Sequence, residues 1–142
     1  MRTTTLIAVT LIVVGCARAP ERVYVNLIAA PVTLSPESLT FRPSKAAPAD
    51  NDSVGVCVTP PKGYELRDDW SLGPSQAMAV RLSAEVTLTN GRVVLFPAPS
   101  WSGDYCLHPE GDGPLEAPVQ EVRVASTGPL TVEKITWVST AK

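Results

Sequence analysis

His108 is the single histidine of the chain, and it lies among acidic residues in a pattern that resembles a cation site. Asp104 shares its strand face, and Glu110 and Asp112 follow in a glycine-containing loop. Carboxylates alone suit a hard cation, and a histidine with carboxylates suits a transition metal. The spacing matches no known metal-binding loop, however, and one histidine cannot form a multi-histidine site. We therefore interpret these charges as solvated loop residues and predict no metal and no other cofactor.

No enzyme motif places a nucleophile beside His108. The chain has no Gly-x-Ser-x-Gly elbow and no cysteine with the surroundings of a reactive thiolate. Paired carboxylates can hydrolyse glycosidic bonds, but with 14 acidic residues some pairs are inevitable. We expect a noncatalytic protein, and we keep as an alternative a small hydrolase or metal-dependent enzyme around Asp104, His108 and Asp112.

Three aromatic residues lie in turn-rich stretches instead of alternating strands: Tyr64, Trp70 and Trp101. Loops at the edge of a β-sandwich often carry function, and exposed tryptophan or tyrosine faces stack on sugar rings or anchor protein partners. The alternative is that these side chains cap the ends of the core. We take the three as the candidate binding residues, and we expect Trp137, inside a predicted strand, to belong to the core.

The elements that would position these residues are strands. The 14 prolines are spread along the chain, and an interior proline costs a helix about 3 kcal/mol. The long proline-free run from Ser75 to Phe96 has an apolar residue at every second position from Met78 to Leu88, which predicts a half-buried strand.

Asn90-Gly91 after that strand predicts a two-residue type I′ hairpin turn. This turn would place Leu88 opposite Val93 and leave Val94 and Phe96 on the other face.

Weaker strand patterns cover the rest of the chain. They span residues 23–29, 32–41 with a break at Pro36, 54–59, 105–108, 119–126, and 130–139 with a bulge near Glu133. Short strands separated by glycine and proline turns predict an all-β fold. We expect one small antiparallel β-sandwich, of immunoglobulin-like or jelly-roll type, over residues 23–142.

Cys57, Trp70 and the Tyr105-Cys106 pair resemble the cysteine, tryptophan and tyrosine-corner cysteine of the immunoglobulin fold. That family places tyrosine two residues before the second cysteine, whereas Tyr105 adjoins Cys106. The resemblance therefore implies a two-sheet sandwich and nothing finer.

The N-terminus has the pattern of a targeting segment. Arg2 precedes an apolar run from Leu6 to Gly15, which is typical of a signal peptide and short for a membrane span of about 20 residues. Its last residues, Val13-Val14-Gly15-Cys16, resemble the lipobox of bacterial lipoproteins. The resemblance implies cleavage of residues 1–15 and lipidation of Cys16. The alternative is an ordinary secretory signal cut near Ala17 or Ala19.

The same resemblance implies a location. Ala17 is not the aspartate that retains such lipoproteins on the inner membrane, so the expected site is the outer membrane, facing the periplasm. Acyl chains gain about 0.8 kcal/mol per buried methylene, enough for a stable anchor. Residues 16–22 would form a short tether of roughly 20 Å when extended, which favours a partner close to the membrane.

With Cys16 lipidated, Cys57 and Cys106 remain as an even pair in a compartment that permits disulfides. We predict that they are bonded; the alternative is two buried thiols. Both cysteines alternate with the more apolar residues of their strands, which favours a cross-strand or rim disulfide over one buried between two sheets.

Charge excludes one class of partner. The net charge of −2 comes without a basic cluster, so nucleic acid is not expected. The leading hypothesis is a lipid-anchored envelope protein whose noncatalytic sandwich binds a protein or glycan through Tyr64, Trp70 and Trp101. A further alternative is an accessory structural subunit of an envelope assembly.

Overall fold

A computed structural model describes residues 22–101, 103–111 and 113–141. The predicted signal peptide, Cys16, the tether as far as residue 21, and Asp112 lie outside the described residues. Thirteen strands follow in chain order: β1 Arg22–Asn26, β2 Val32–Leu34, β3 Leu39–Phe41, β4 Ser53–Thr59, β5 Glu65–Leu66, β6 Leu72–Gly73, β7 Leu82–Leu88, β8 Val93–Phe96, β9 Ala98–Trp101, β10 Tyr105–His108, β11 Val119–Ser126, β12 Leu130–Val132 and β13 Lys134–Thr140. A 3-10 helix spans Gln76–Met78.

The predicted all-β sandwich is confirmed. A five-stranded sheet has the order β1-β13-β4-β10-β9, and a four-stranded sheet has the order β3-β11-β7-β8. All strand pairs are antiparallel. The strands of the four-stranded sheet alternate between a buried and a less buried face, whereas β4 and β10 of the five-stranded sheet are buried along most of their length. The inward residues of both sheets form one core.

The centre of the core is Trp137, which is fully buried as expected. Its ring packs against Phe96 of the other sheet, with 5.8 Å between ring centroids, and its indole N–H donates to the Pro48 carbonyl oxygen at 2.9 Å. The buried tryptophan of this sandwich is therefore Trp137. Trp70, which the immunoglobulin-like pattern would bury, is exposed.

The predicted bulge near Glu133 is instead a change of sheet. β12 pairs with β2 in a two-stranded ribbon, whereas β13 pairs with β1 and β4 in the five-stranded sheet. The change in side-chain parity between Val132 and Ile135 arises because the chain passes from the ribbon to that sheet. Strands that switch sheets in this way close the side of a sandwich.

The β7–β8 hairpin differs from its prediction by one residue. Thr87 pairs with Val93 and Val86 with Val94. The loop has three residues because the Leu88 N–H bonds to the Arg92 carbonyl, and Gly91 alone of the loop adopts a positive φ, +85°. A three-residue loop with glycine in the left-handed region is the next commonest hairpin after the predicted type.

That shift exchanges the two faces of β8. Val94 and Phe96 face the core, whereas Val93 and Leu95 are 53% and 64% exposed. The predicted start of β7 at Met78 is also wrong. Met78 lies in the 3-10 helix and is exposed, and the strand begins at Leu82.

Candidate functional site

The three predicted binding residues lie at one end of the sandwich. β4 and β10 are antiparallel with Val58 opposite Tyr105, so the loop that follows β4 meets the turn between β9 and β10. Tyr64 and Trp70 belong to that loop, and Trp101 ends β9. We call this end, defined by Tyr64, Trp70 and Trp101, the aromatic end.

Tyr105 connects the two tryptophan segments. Its hydroxyl donates to the Trp70 carbonyl oxygen at 3.0 Å, and Trp101 is its cross-strand partner. The ring is almost fully buried, and this burial raises the pKa of the Tyr105 phenol above its usual value. Tyr105 therefore fixes the backbone of Trp70 relative to the strand pair that carries Trp101.

Trp70 is presented on a tight turn between β5 and β6. The Trp70 N–H donates to the Arg67 carbonyl, and the Arg67 N–H donates to the Ser71 carbonyl, each at 2.9 Å. The φ angle of Trp70 is +63°, and no other non-glycine residue in the described ranges has a positive φ. A bulky side chain in this region costs about 1–2 kcal/mol, so the surrounding contacts hold Trp70 in an unfavourable conformation.

Asp69 supplies most of those contacts. One carboxylate oxygen accepts from the Ser71 hydroxyl at 2.6 Å and from the Ser71 N–H at 3.1 Å, and the other accepts from Arg81 at 3.1 Å. The Ser71 hydrogen bonds, followed by that from Arg81, lower the pKa of Asp69 to about 2. The carboxylate therefore stays ionised and keeps the turn closed over the neutral and mildly acidic range.

At the aromatic end, the exposed aromatic surface comes from two tryptophans. Trp70 and Trp101 are 42% and 41% exposed, which is high for such large side chains. Tyr64 is half-buried and packs against the core. Tyr64 therefore caps the end of the core, which was the alternative interpretation for these three residues. Trp70 and Trp101, by contrast, expose part of their indole surface.

A polar cleft of about 410 Å³ is lined by the residues that precede Trp70 in its turn, although Trp70 itself does not line it. Charged and amide side chains line it, from Glu65, Arg67, Asp68, Asp69 and Gln76. Tryptophan surface beside a row of hydrogen-bonding groups suits a ligand with both apolar faces and hydroxyl or amide groups. No pattern in the sequence predicts this cleft, because its residues meet only when the β5–β6 hairpin folds back beside the 3-10 helix.

His108 lies in a different place, on the outer face of the five-stranded sheet. Nδ1 donates to the Val54 carbonyl oxygen at 2.8 Å, and Nε2 lies 2.7 Å from the Ser100 hydroxyl oxygen. Because a carbonyl only accepts, Nδ1 carries a proton, and Nε2 forms the hydrogen bond with the Ser100 hydroxyl. The ring lies over Gly55, where a Cβ would be 3.0 Å from the histidine Cε1.

His108 and Asp104 line the same groove at different levels of the sheet, Glu110 is exposed, and Asp112 lies outside the described residues. Asp104 lies about 13 Å away along the strand direction and accepts a hydrogen bond from Thr59 at 3.1 Å. Among the described residues no group of three or more metal-binding side chains is found. The sequence does not predict the position of Ser100, because Pro99 makes the segment of β9 typical of a loop.

The predicted disulfide is confirmed. Cys57 and Cys106 are direct cross-strand partners on β4 and β10 and are bonded to each other. They lie within one sheet, on its outer face, where they line the same groove as Ser100 and His108. The preference for a cross-strand over an inter-sheet disulfide, inferred from side-chain parity, is also correct.

Searches of protein-family models, curated proteins and solved structures find no match to this chain. Within the described ranges, no helix is long and apolar enough to cross a membrane.

Proposed function

We propose that this chain is a lipid-anchored protein of the bacterial cell envelope whose noncatalytic β-sandwich binds a partner at the aromatic end. The observation that carries the binding proposal is the presentation of Trp70. The turn is held in an unfavourable backbone conformation by hydrogen bonds that Asp69 accepts from Ser71, the Arg67 carbonyl accepts from Trp70, and Tyr105 donates to the Trp70 carbonyl, while Trp70 stays 42% exposed. Strain of this kind is more common at ligand sites than elsewhere.

The chemistry of the aromatic end supports a glycan or a protein loop as the partner. Trp70 and Trp101 provide apolar faces, and the adjoining cleft provides Arg67, Asp68 and Gln76 as hydrogen-bonding groups. An envelope glycan fits by stacking sugar faces on indole and bonding its hydroxyls in the cleft. A protein loop fits through the same tryptophans as anchors.

The direction of β1 sets how far this site lies from the anchor. Arg22, Thr140 and Ser53 are at the same level of the sheet, five residues of β4 from Val58 and Tyr105. The aromatic end is thus about 17 Å from the level at which β1 begins. With a lipid on Cys16 and a tether of roughly 20 Å, the partner would lie within about 40 Å of the bilayer. This distance is consistent with a partner close to the membrane, on the side of the domain away from the lipid.

The anchor has its own test, the change of Cys16 to serine. Serine cannot form the thioether, so we expect an unprocessed precursor or release of the domain from membranes. Membrane fractionation and mass measurement of the N-terminus give the result. A Cys16→Ser protein that is cleaved and fractionates like the wild type would exclude lipidation at this residue.

The binding site is tested with Trp70→Asn combined with Trp101→Ala in the full-length protein. Asparagine tolerates the left-handed conformation at position 70, so the turn is kept while the indole is removed. The matched control is Tyr24→Ala, which removes a ring that is 61% exposed on β1. Pull-down from envelope extract and a panel of envelope glycans are read for both proteins. Loss of partners in the double variant alone supports the proposal, and unchanged partners contradict it.

Hydrolysis is the second candidate, and one observation favours it. Ser100 and His108 are within hydrogen-bond distance, and the Val54 carbonyl orients the imidazole, as a nucleophile, base and orienting group require. The small-hydrolase alternative would therefore use Ser100 and not Asp104. Labelling by a fluorophosphonate probe that is lost in Ser100→Ala and retained in Ser53→Ala would support it. The absence of labelling would leave binding as the better proposal.

A further inference from the structure

We propose that β8 is a dimerisation edge: it pairs antiparallel with β8 of a second copy of the chain and joins the two four-stranded sheets into one continuous sheet. β8 is the last strand in the order β3-β11-β7-β8, and in the described part of the chain it pairs with β7 alone. The inference concerns a surface apart from the aromatic end and does not depend on the lipid anchor.

The hydrogen-bond pattern of the hairpin leaves two residues of β8 with outward-pointing backbone groups. The Leu88 N–H donates to the Arg92 carbonyl oxygen, so Leu88 and Arg92 form a hydrogen-bonded pair. In an antiparallel ladder, hydrogen-bonded pairs alternate with non-hydrogen-bonded pairs. The N–H and C=O groups of Val94 and Phe96 therefore point toward β7 and bond to it. The N–H and C=O groups of Val93 and Leu95 therefore point away from β7, toward the free edge.

The same two residues carry the exposed apolar side chains. Val93 is 53% and Leu95 64% exposed. In a two-fold arrangement centred on Val94, Val93 of each copy lies opposite Leu95 of the other, and each of these pairs exchanges two N–H···O bonds. One contact thus satisfies the outward backbone groups and removes the apolar side chains from water.

We infer that a second copy of the chain pairs with β8 because the exposed face of this strand is complementary to itself. The exposed face of β8 offers apolar residues at alternate positions, and a second β8 presents the same pattern in reverse. Glu85 of β7, the cross-strand partner of Leu95, lies beside this face and is paired with Arg123 of its own chain at 3.6 Å. Arg92, which precedes β8, bonds to Glu116 of its own chain at 2.9 Å and would lie opposite Phe96 of the second copy. No like charges meet in this register, which is the condition that cross-strand pairing requires.

The other sheet edges carry features that oppose such pairing. β9 contains Pro99, which has no N–H to donate, and β3 has three residues followed by Arg42 and Pro43. β1 begins with Arg22. Charges, prolines and short length are the usual means of protecting a free edge. β8, with the sequence Val-Val-Leu-Phe between Arg92 and Pro97, is also short, but the strand itself contains neither a charged residue nor a proline.

The test uses the full-length protein in detergent, with its mass measured by light scattering after correction for bound detergent, over a range of concentrations. We expect a concentration-dependent dimer for the wild type. In Val93→Lys/Leu95→Lys every lysine would face a lysine of the second copy, so we expect a monomer with the wild-type unfolding temperature. The matched control, Tyr24→Lys/Met78→Lys, changes side chains of similar exposure elsewhere and should still dimerise.

A charge swap makes the test specific to this register. Mixing the lysine variant with Val93→Glu/Leu95→Glu should restore a heterodimer, since each lysine then faces a glutamate. If either variant does not fold, amide exchange at Val93 and Leu95 of the wild type decides the question. Protection that rises with protein concentration supports the edge dimer.

A monomer at all concentrations, a dimer that the lysine changes leave intact, or unprotected amides would overturn the proposal. Cross-linking of Leu95 to a different protein and never to a second copy would overturn it in favour of strand addition by another partner.

Discussion

At the scale of single residues, the candidate binding site depends on the ionisation of Asp69. Its carboxylate holds both the N–H and the hydroxyl of Ser71, and through them the turn that exposes Trp70. The pKa is lowered to about 2 by those bonds and by Arg81. Because the folded pKa lies below the ordinary value of about 3.9, this contribution to stability is complete above pH 4 and is lost as the pH falls toward 2.

We therefore predict that the Ser71 amide resonance titrates with a midpoint near pH 2, and that the turn around Trp70 loosens over the same range. NMR of the labelled protein measures both. Asp69→Asn should remove the titration and leave the turn loosened at every pH. A midpoint near pH 4 in the wild type would show that the Ser71 hydrogen bonds do not hold the carboxylate.

Gly55 has an equally local role on the outer face of the sheet. Because Gly55 has no side chain, the His108 ring can occupy the space next to its Cα and reach the Val54 carbonyl. Alanine would normally improve a strand by about 0.5–1 kcal/mol, but here its Cβ would displace a ring that is hydrogen bonded through both nitrogens.

We predict that Gly55→Ala lowers the free energy of unfolding by about 1 kcal/mol in the wild type and raises it in a His108→Ala background. Urea unfolding of the four proteins gives the coupling between the two positions. An equal effect of Gly55→Ala in both backgrounds would contradict the packing argument.

At the scale of elements, the β7–β8 hairpin determines which side of β8 is exposed. Asn90-Gly91 correctly marked a turn, but the Asn90 side chain accepts a hydrogen bond from the Arg92 N–H at 3.0 Å. Asn90 keeps a negative φ, and Gly91 alone supplies the left-handed residue. One extra loop residue moves the pairing by one position, and alternation then turns every side chain of β8 to the opposite face.

Gly91 is accordingly the residue on which this register depends. Gly91→Ala should lower the free energy of unfolding by about 1–2 kcal/mol, because alanine is disfavoured at φ +85°. Gly91→Asn should cost less, since asparagine tolerates that region, and it serves as the control. Thermal or urea unfolding distinguishes the two, and similar losses for both would contradict a conformational cause.

At the scale of the whole molecule, the disulfide joins the centre of the five-stranded sheet across a sequence separation of 49 residues. Closing a loop of this size restricts the unfolded chain by about 4 kcal/mol in the chain-entropy model. That is a large part of the 5–15 kcal/mol typical of a domain.

Replacing Cys57 and Cys106 by alanine together should lower the free energy of unfolding by about 4 kcal/mol without changing the strand pairing. Urea unfolding with and without reductant measures the loss, and the reductant should have no effect on the double variant. A loss below about 1 kcal/mol would mean that the unfolded chain is already compact around these strands.

The part of this structure that the sequence determined by itself is local. The alternation of apolar and polar residues predicted β10 and β11 to the residue and placed Val56 in the core. The same alternation put Cys57 and Cys106 on the opposite side from the core valines. These inferences succeed because a strand repeats every two residues whatever it pairs with.

Tertiary structure decided everything that depends on which segments meet. Four features join residues that no local pattern relates. They are the register of β8, the passage of the chain between sheets at Glu133, the connection of Trp70 and Trp101 through Tyr105, and the Ser100–His108 contact. Each results from burying one shared core and completing backbone hydrogen bonds across strands far apart in the chain. The sequence therefore predicted which residues of a strand face the core. The aromatic end could not be predicted in this way, because its residues come together only when the sheets pack.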